Sequence, residues 1–126
     1  MIQVTSHMRI VVAVDPVDFR KGIDGLAAVC RQRLDSDPFS GTLFVFVNKS
    51  RQAIRVLVYD GQGFWLCHKR LSKGRFAWRF QSGGHAHGVV RALAARELQQ
   101  LLWNADPLKV APVEDFRRIP KNFVIP

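Results

Sequence analysis

Three apolar runs joined by two short polar turns dominate the middle of this sequence, and they leave few folds open. Thr42–Val47 is β-branched and aromatic, Ile54–Tyr59 repeats that character, and Phe64–Lys69 follows directly after Asp60-Gly61. Asn48-Lys49-Ser50-Arg51 separates the first two runs, and Asp-Gly between the second and third is a strong tight-turn signal. Runs of strand length linked by connections this short pair with their neighbours, so the spacing predicts an antiparallel meander. Such a sheet is stable only if a face is covered, which requires a packed helix.

The flanking segments supply that cover. Arg9–Val14 is a short apolar run that ends at Asp15-Pro16, the pattern of a buried strand followed by a break. Ile23, Leu26, Cys30 and Leu34 then recur on one helical face, with Ala27 beside them. Asp18 can cap this helix, although its start near Gly22 is equally open, and Asp37-Pro38 ends it. Gly22 and Gly25 weaken it by up to ~1 kcal/mol each, so packing has to hold it. Between Gly74 and Phe80, Phe76, Trp78 and Phe80 alternate with Arg75, Ala77 and Arg79, which predicts a further strand with its aromatics inward. After the Gln81–Gly84 break, Val89–Trp103 reads as a second helix with Val90, Leu93, Ala94, Leu98, Leu101 and Leu102 as its apolar stripe. The expected fold is α+β: an antiparallel sheet of four to five strands, one helix packed on a face, and a second, C-terminal helix. Residues 1–103 form one compact domain in this reading, and 104–126, with Pro107, Pro112, Pro120 and Pro126, an extended basic tail.

Charge narrows the function. Nineteen Lys and Arg face ten Asp and Glu in 126 residues, a formal net charge of +9. A balance this basic attracts polyanions. The excess is uneven: Gly61–Arg96 contains no acidic residue, yet it holds Lys69, Arg70, Lys73, Arg75, Arg79, Arg91 and Arg96. The segment Lys69–Arg75 falls at the tip of a strand–turn–strand unit, where side chains can reach phosphates without desolvating a core. The plainer alternative is a solvated turn whose long cations cover the aromatic sheet face. Arg20 and Lys21 sit at the start of the first helix, where the helix dipole disfavours cations if Asp18 is the cap. Candidate phosphate contacts are therefore Arg20, Lys21, Lys69, Arg70, Lys73, Arg75 and Arg79. Nothing in the pattern encodes particular bases. Phe76, Trp78 and Phe80 are read as core rather than as stacking platforms.

Catalytic and metal-binding patterns are missing. His85 and His87 could present two imidazoles together, but His7, His68, Cys30 and Cys67 stand at no recognisable ligand spacing. Asp15, Asp18 and Asp24 are close in sequence, and turn and capping roles account for the first two. No Gly-rich phosphate loop or nucleophile signature occurs. A non-enzymatic chain without metal or cofactor is expected. Met1–Ile10 has no long apolar stretch, apolar runs do not exceed six residues, and a cytoplasmic protein with reduced thiols is the simplest expectation.

Four motifs in order carry a family likeness. They are Asp18-Phe19-Arg20-Lys21-Gly22-Ile23-Asp24-Gly25-Leu26, Asp37-Pro38-Phe39-Ser40-Gly41-Thr42-Leu43-Phe44-Val45-Phe46, Tyr59-Asp60-Gly61-Gln62-Gly63-Phe64 and Lys69-Arg70-Leu71-Ser72-Lys73-Gly74-Arg75-Phe76. Together they resemble the TnpB-type accessory proteins encoded by the second reading frame of bacterial insertion sequences of the IS66 type. The likeness covers roughly residues 9–80 and extends more loosely to Trp103. It departs after Trp78, where Arg79-Phe80-Gln81-Ser82 and the histidine pair stand in place of the family's proline and short polar residues. The resemblance implies a mobile genetic element whose separate transposase carries the carboxylate–metal chemistry that this chain lacks. The expected function is a transposition accessory protein that binds duplex DNA non-catalytically, in a salt-dependent way, and helps assemble the transposase complex. The alternative is an adaptor that contacts the transposase without touching DNA, docking through the apolar second helix with Trp103 and the proline-rich tail.

Overall fold

The computed structural model describes residues 8–80 and 90–103. Their order is β1 (Ile10–Ala13), α1 (Ile23–Gln32), β2 (Leu43–Val47), β3 (Ala53–Tyr59), β4 (Phe64–Arg70), β5 (Val90–Leu93) and α2 (Ala95–Leu102). The strands form one sheet in the order β4-β3-β2-β1-β5. The expected meander is β2-β3-β4, antiparallel throughout, with Val47 opposite Ile54 and Tyr59 opposite Phe64. β1 lies on the far side of β2 and runs parallel to it, Val11 beside Phe44. β5 closes that side antiparallel to β1. The α+β architecture is thus a mostly antiparallel five-stranded sheet with two helices.

Both faces of the sheet are covered, which explains why β1 and β2 are apolar at every position. On one face Val11, Ala13, Phe44, Phe46 and Leu57 pack against Leu26, Ala27, Val29 and Cys30 of α1. On the other, Ile10, Val12, Val45, Ile54 and Val56 pack against Leu98 and Leu101 of α2 and against Phe76 and Trp78. A strand buried on two sides shows no polar alternation. Burial also pushes the Cys30 thiol up to about 12, so it stays protonated and behaves as a small apolar side chain.

The open start of the first helix is decided: α1 begins at Ile23 with Gly22 in the cap position, and Asp18 instead folds back on Arg20. Two details differ from the sequence expectation. The segment 74–80 joins no strand ladder. Phe76 and Trp78 point inward as the alternation requires, but the Phe76 amide donates to the Arg51 carbonyl at 2.7 Å and the Trp78 indole N–H to the Val14 carbonyl at 2.9 Å. The alternation thus reports burial against a sheet face rather than strand pairing. Finally, Val90–Leu93 is strand and only Ala95–Leu102 is helix. Val90, Leu93 and Leu98 satisfy helical spacing by coincidence, and pairing with β1 decides the conformation. Glu97 starts α2 by accepting the Ala94 amide at 3.0 Å. The expected tail, His7, His85 and His87 lie outside the described residues.

Candidate nucleic-acid interface

Strand direction gathers the basic segments. β1 and β2 are parallel, so the loop after Ala13 and the turn after Val47 emerge at the same end of the sheet. Arg70, the last residue of β4, pairs with Ala53, the first of β3, so the segment after β4 leaves at that end too. Backbone hydrogen bonds fasten the three together: Val17 N–H to Val47 carbonyl at 2.9 Å, Leu71 N–H to Gln52 carbonyl at 2.9 Å, and the Phe76 bond to Arg51. Arg20, Lys21, Lys49, Arg51, Arg70, Lys73 and Arg75 therefore crowd one end, and all are exposed.

The cations differ in what already holds them. Arg20 is paired with Asp18 at 2.9 Å, and its Nε lies 3.1 Å from both carboxylate oxygens. That side-chain bond, helped by the Arg20 amide, holds the Asp18 carboxyl down to about 2, and Asp18 in turn raises the Arg20 pKa. Lys69 faces away from its neighbours. Its Nζ donates to the Leu102 carbonyl and lies 4.7 Å from the Trp103 ring centroid, so it closes the last turn of α2. Partial burial lowers its pKa. Lys69 and Arg70, adjacent in sequence, thus sit on opposite faces of β4. Arg75 and the exposed Arg79 lie along the segment that crosses from β4 to the end of β1.

Two cations at this end were not legible as site candidates. Lys49 and Arg51 read in sequence as ordinary hairpin-turn residues, and only the parallel β1–β2 pairing brings them beside Arg20. The turn itself is set by Asn48, whose side-chain oxygen accepts the Gln52 and Ala53 amides at 3.0 and 3.1 Å, and by Arg51 at φ 60°. Arg55 had a weak signal, a lone cation within an apolar strand run. Its guanidinium donates to the Phe19 carbonyl at 2.8 Å, the Lys21 carbonyl at 3.0 Å and His68 Nδ1 at 2.9 Å, and it lies 4.6 Å from the Phe19 ring centroid. Arg55 therefore anchors the loop that carries Arg20 and Lys21. A groove of about 860 Å³ runs between Pro16–Arg20 and Asn48–Ser50, at the carboxyl ends of the two parallel strands.

The opposite end is different in character. Phe39, Tyr59 and Phe64 form an aromatic cluster with centroid separations of 4.9 to 5.1 Å, and Phe39 and Trp65 are 52% and 48% exposed. Asp60 accepts the Gln62 and Gly63 amides and the Trp65 indole N–H, which together lower its pKa. Among the described residues no group of three or more His, Cys, Asp or Glu is placed to hold a metal ion, and no helix is long and apolar enough to cross a membrane.

A family model described as IS66 Orf2 like protein matches residues 8–111. Two relatives come from Sinorhizobium fredii (strain NBRC 101917 / NGR234). Uncharacterized protein y4jC is 39% identical over 87 residues, 69% of this chain and 74% of that protein. Uncharacterized protein y4hO is 34% identical over 106 residues, 84% of this chain and 88% of that protein. No solved structure matches significantly.

Proposed function

The chain belongs to the IS66 Orf2-like family of insertion-sequence accessory proteins, and from that premise we propose that it serves transposition as a non-catalytic DNA-binding module. The observation that carries this reading is the convergence of three sequence-distant basic segments, 20–21, 49–51 and 70–75, at one end of a rigid sheet. Like charges gathered this way repel unless a polyanion neutralises them. Duplex phosphates fit: they need cations on short, firmly tied loops and no base-reading element. Bound there, the protein helps assemble the element's separate transposase on DNA. Lys69 is left out of the phosphate-binding set, since its ammonium is already engaged by α2. The test is duplex binding across a salt series. The wild type binds at low salt, and log affinity falls with log salt by about 0.9 for each phosphate neutralised. A Lys21, Arg70, Lys73 and Arg75 to Ala variant binds more weakly with a shallower slope. No binding at low salt, or an unchanged slope in the variant, overturns the reading.

The adaptor role is the second reading, and the exposed Phe39 and Trp65 favour it, because exposed aromatics serve well as anchors in protein interfaces. The apolar stripe of α2 does not supply such a surface: Leu98 and Leu101 are spent on the sheet.

A further inference from the structure

We propose that the groove between the 16–20 loop and the 48–50 turn binds an unpaired nucleic-acid strand, with a base stacked on Phe19 and its phosphates met by Arg20 and Lys49. This rests on the nucleic-acid reading above and adds a second, distinct mode of binding to it.

The lining argues for it. Val17 and Phe19 give the groove an apolar part, and Arg20, Lys49, Asn48 and Ser50 give it a charged and hydrogen-bonding part. Asp18 also lines it, paired with Arg20 through Nε and Nη2, which leaves the Arg20 Nη1 to meet a phosphate. A duplex keeps its bases stacked inside and shows a protein surface mainly sugars and phosphates, which gain nothing from an aromatic ring. An unpaired strand offers base faces and phosphates together, the combination that single-strand sites satisfy with aromatics set in a basic groove. The Phe19 ring packs in part on the core, is fixed by the Arg55 guanidinium 4.6 Å from its centroid and by an edge-to-face contact with His68 at 6.0 Å, and is half-buried where it lines the groove. The volume of about 860 Å³ is in the range of small-molecule sites and is roomy enough for a nucleotide.

The experiment compares labelled oligothymidylate, oligouridylate and a duplex of equal length by fluorescence anisotropy on the full chain. The wild type is expected to bind at least one of the two single strands. Phe19→Leu, which keeps the apolar volume and loses the π face, weakens single-strand binding about 5- to 150-fold, while duplex affinity stays within about twofold. Phe19→Tyr retains single-strand binding, which separates stacking from packing. Lys49→Ala flattens the single-strand salt slope by about 0.7. Duplex binding without single-strand binding, or a Phe19→Leu variant that holds single strands like the wild type, overturns this inference alone. Failure to bind any of the three overturns the proposed function and this inference with it.

Discussion

Arg55 shows how much a single side chain does at the basic end. It fastens the loop carrying Arg20 and Lys21, backs the Phe19 ring, and donates to Nδ1 of His68. That last bond needs a free lone pair on Nδ1, so the neutral ring carries its proton on Nε2. Burial, reinforced by the charges of Arg55 and Arg70, holds the His68 pKa below the usual imidazole value. The folded chain therefore takes up this proton less readily than the unfolded chain, whose imidazole titrates near ~6.5. The stabilisation from neutral His68 is complete above that pH and is lost as pH falls through the folded-state pKa. An NMR titration should give His68 a pKa below ~6.5, and Arg55→Met should raise it; an unperturbed wild-type value contradicts the arrangement. Gly25 is held by close packing rather than by helix propensity. Helix propensity alone predicts that Gly25→Ala stabilises α1 by up to ~1 kcal/mol. A Cβ there would stand 2.8 Å from the Lys21 Cβ, which is fixed to the backbone and cannot swing aside. The expected result is a loss of about 1–3 kcal/mol, read as a lower urea midpoint. A higher midpoint would mean that the 21–25 turn yields freely.

At the scale of elements, β4 separates two functions that sequence places side by side. Lys69 holds the end of α2, whereas Arg70 stands exposed on the other face. Lys69→Met should cost about 1–3 kcal/mol and speed amide exchange in the last turn of α2, leaving the salt slope of DNA binding unchanged. Arg70→Met should leave stability within about 0.5 kcal/mol and flatten the slope by about 0.9. The reverse pattern would place the phosphate-binding role on Lys69. The same elements show what the sequence discloses. The β2-β3-β4 meander was legible because short polar turns such as Asp60–Gly63 dictate pairing between neighbours, and the buried face of α1 because its apolar spacing is helical. The parallel β1–β2 pairing was not, since nothing local records which distant strand a buried run will join. Four residues of β5 were too few to show a period of two against a competing helical spacing. Segment 74–80 misled for the opposite reason: Phe76 and Trp78 alternate because they cover a sheet face, and their hydrogen bonds go to the Arg51 and Val14 carbonyls instead. The candidate site inherits this division. Arg70, Lys73 and Arg75 were visible as a run, while Lys49 and Arg51 became neighbours of Arg20 only through the unforeseen parallel pairing.

For the whole molecule, the decisive quantity is where the charge lies rather than how large it is. A chain of net charge +9 attracts any polyanion. Here the exposed cations of the turns and of β4 share one end, while the other end presents Asp60 and the aromatics Phe39, Tyr59 and Phe64. Under the proposed function, such polarity would orient an approaching duplex before it docks and leave the aromatic end outward for a protein partner. Two triple variants of equal charge separate this from simple attraction. Arg51→Gln, Arg70→Gln and Lys73→Gln remove cations from the carboxyl end of β1 and β2; Arg9→Gln, Arg31→Gln and Arg96→Gln remove as many from β1's start, from the last turn of α1 and from the first turn of α2. The first set should flatten the slope of log affinity against log salt by about 0.9 for each phosphate no longer neutralised, and weaken binding more than about tenfold at low salt. The second should leave the slope unchanged. If both sets weaken binding equally, the protein meets DNA merely as a polycation, and the gathering of its basic segments at one end of the sheet has no part in recognition.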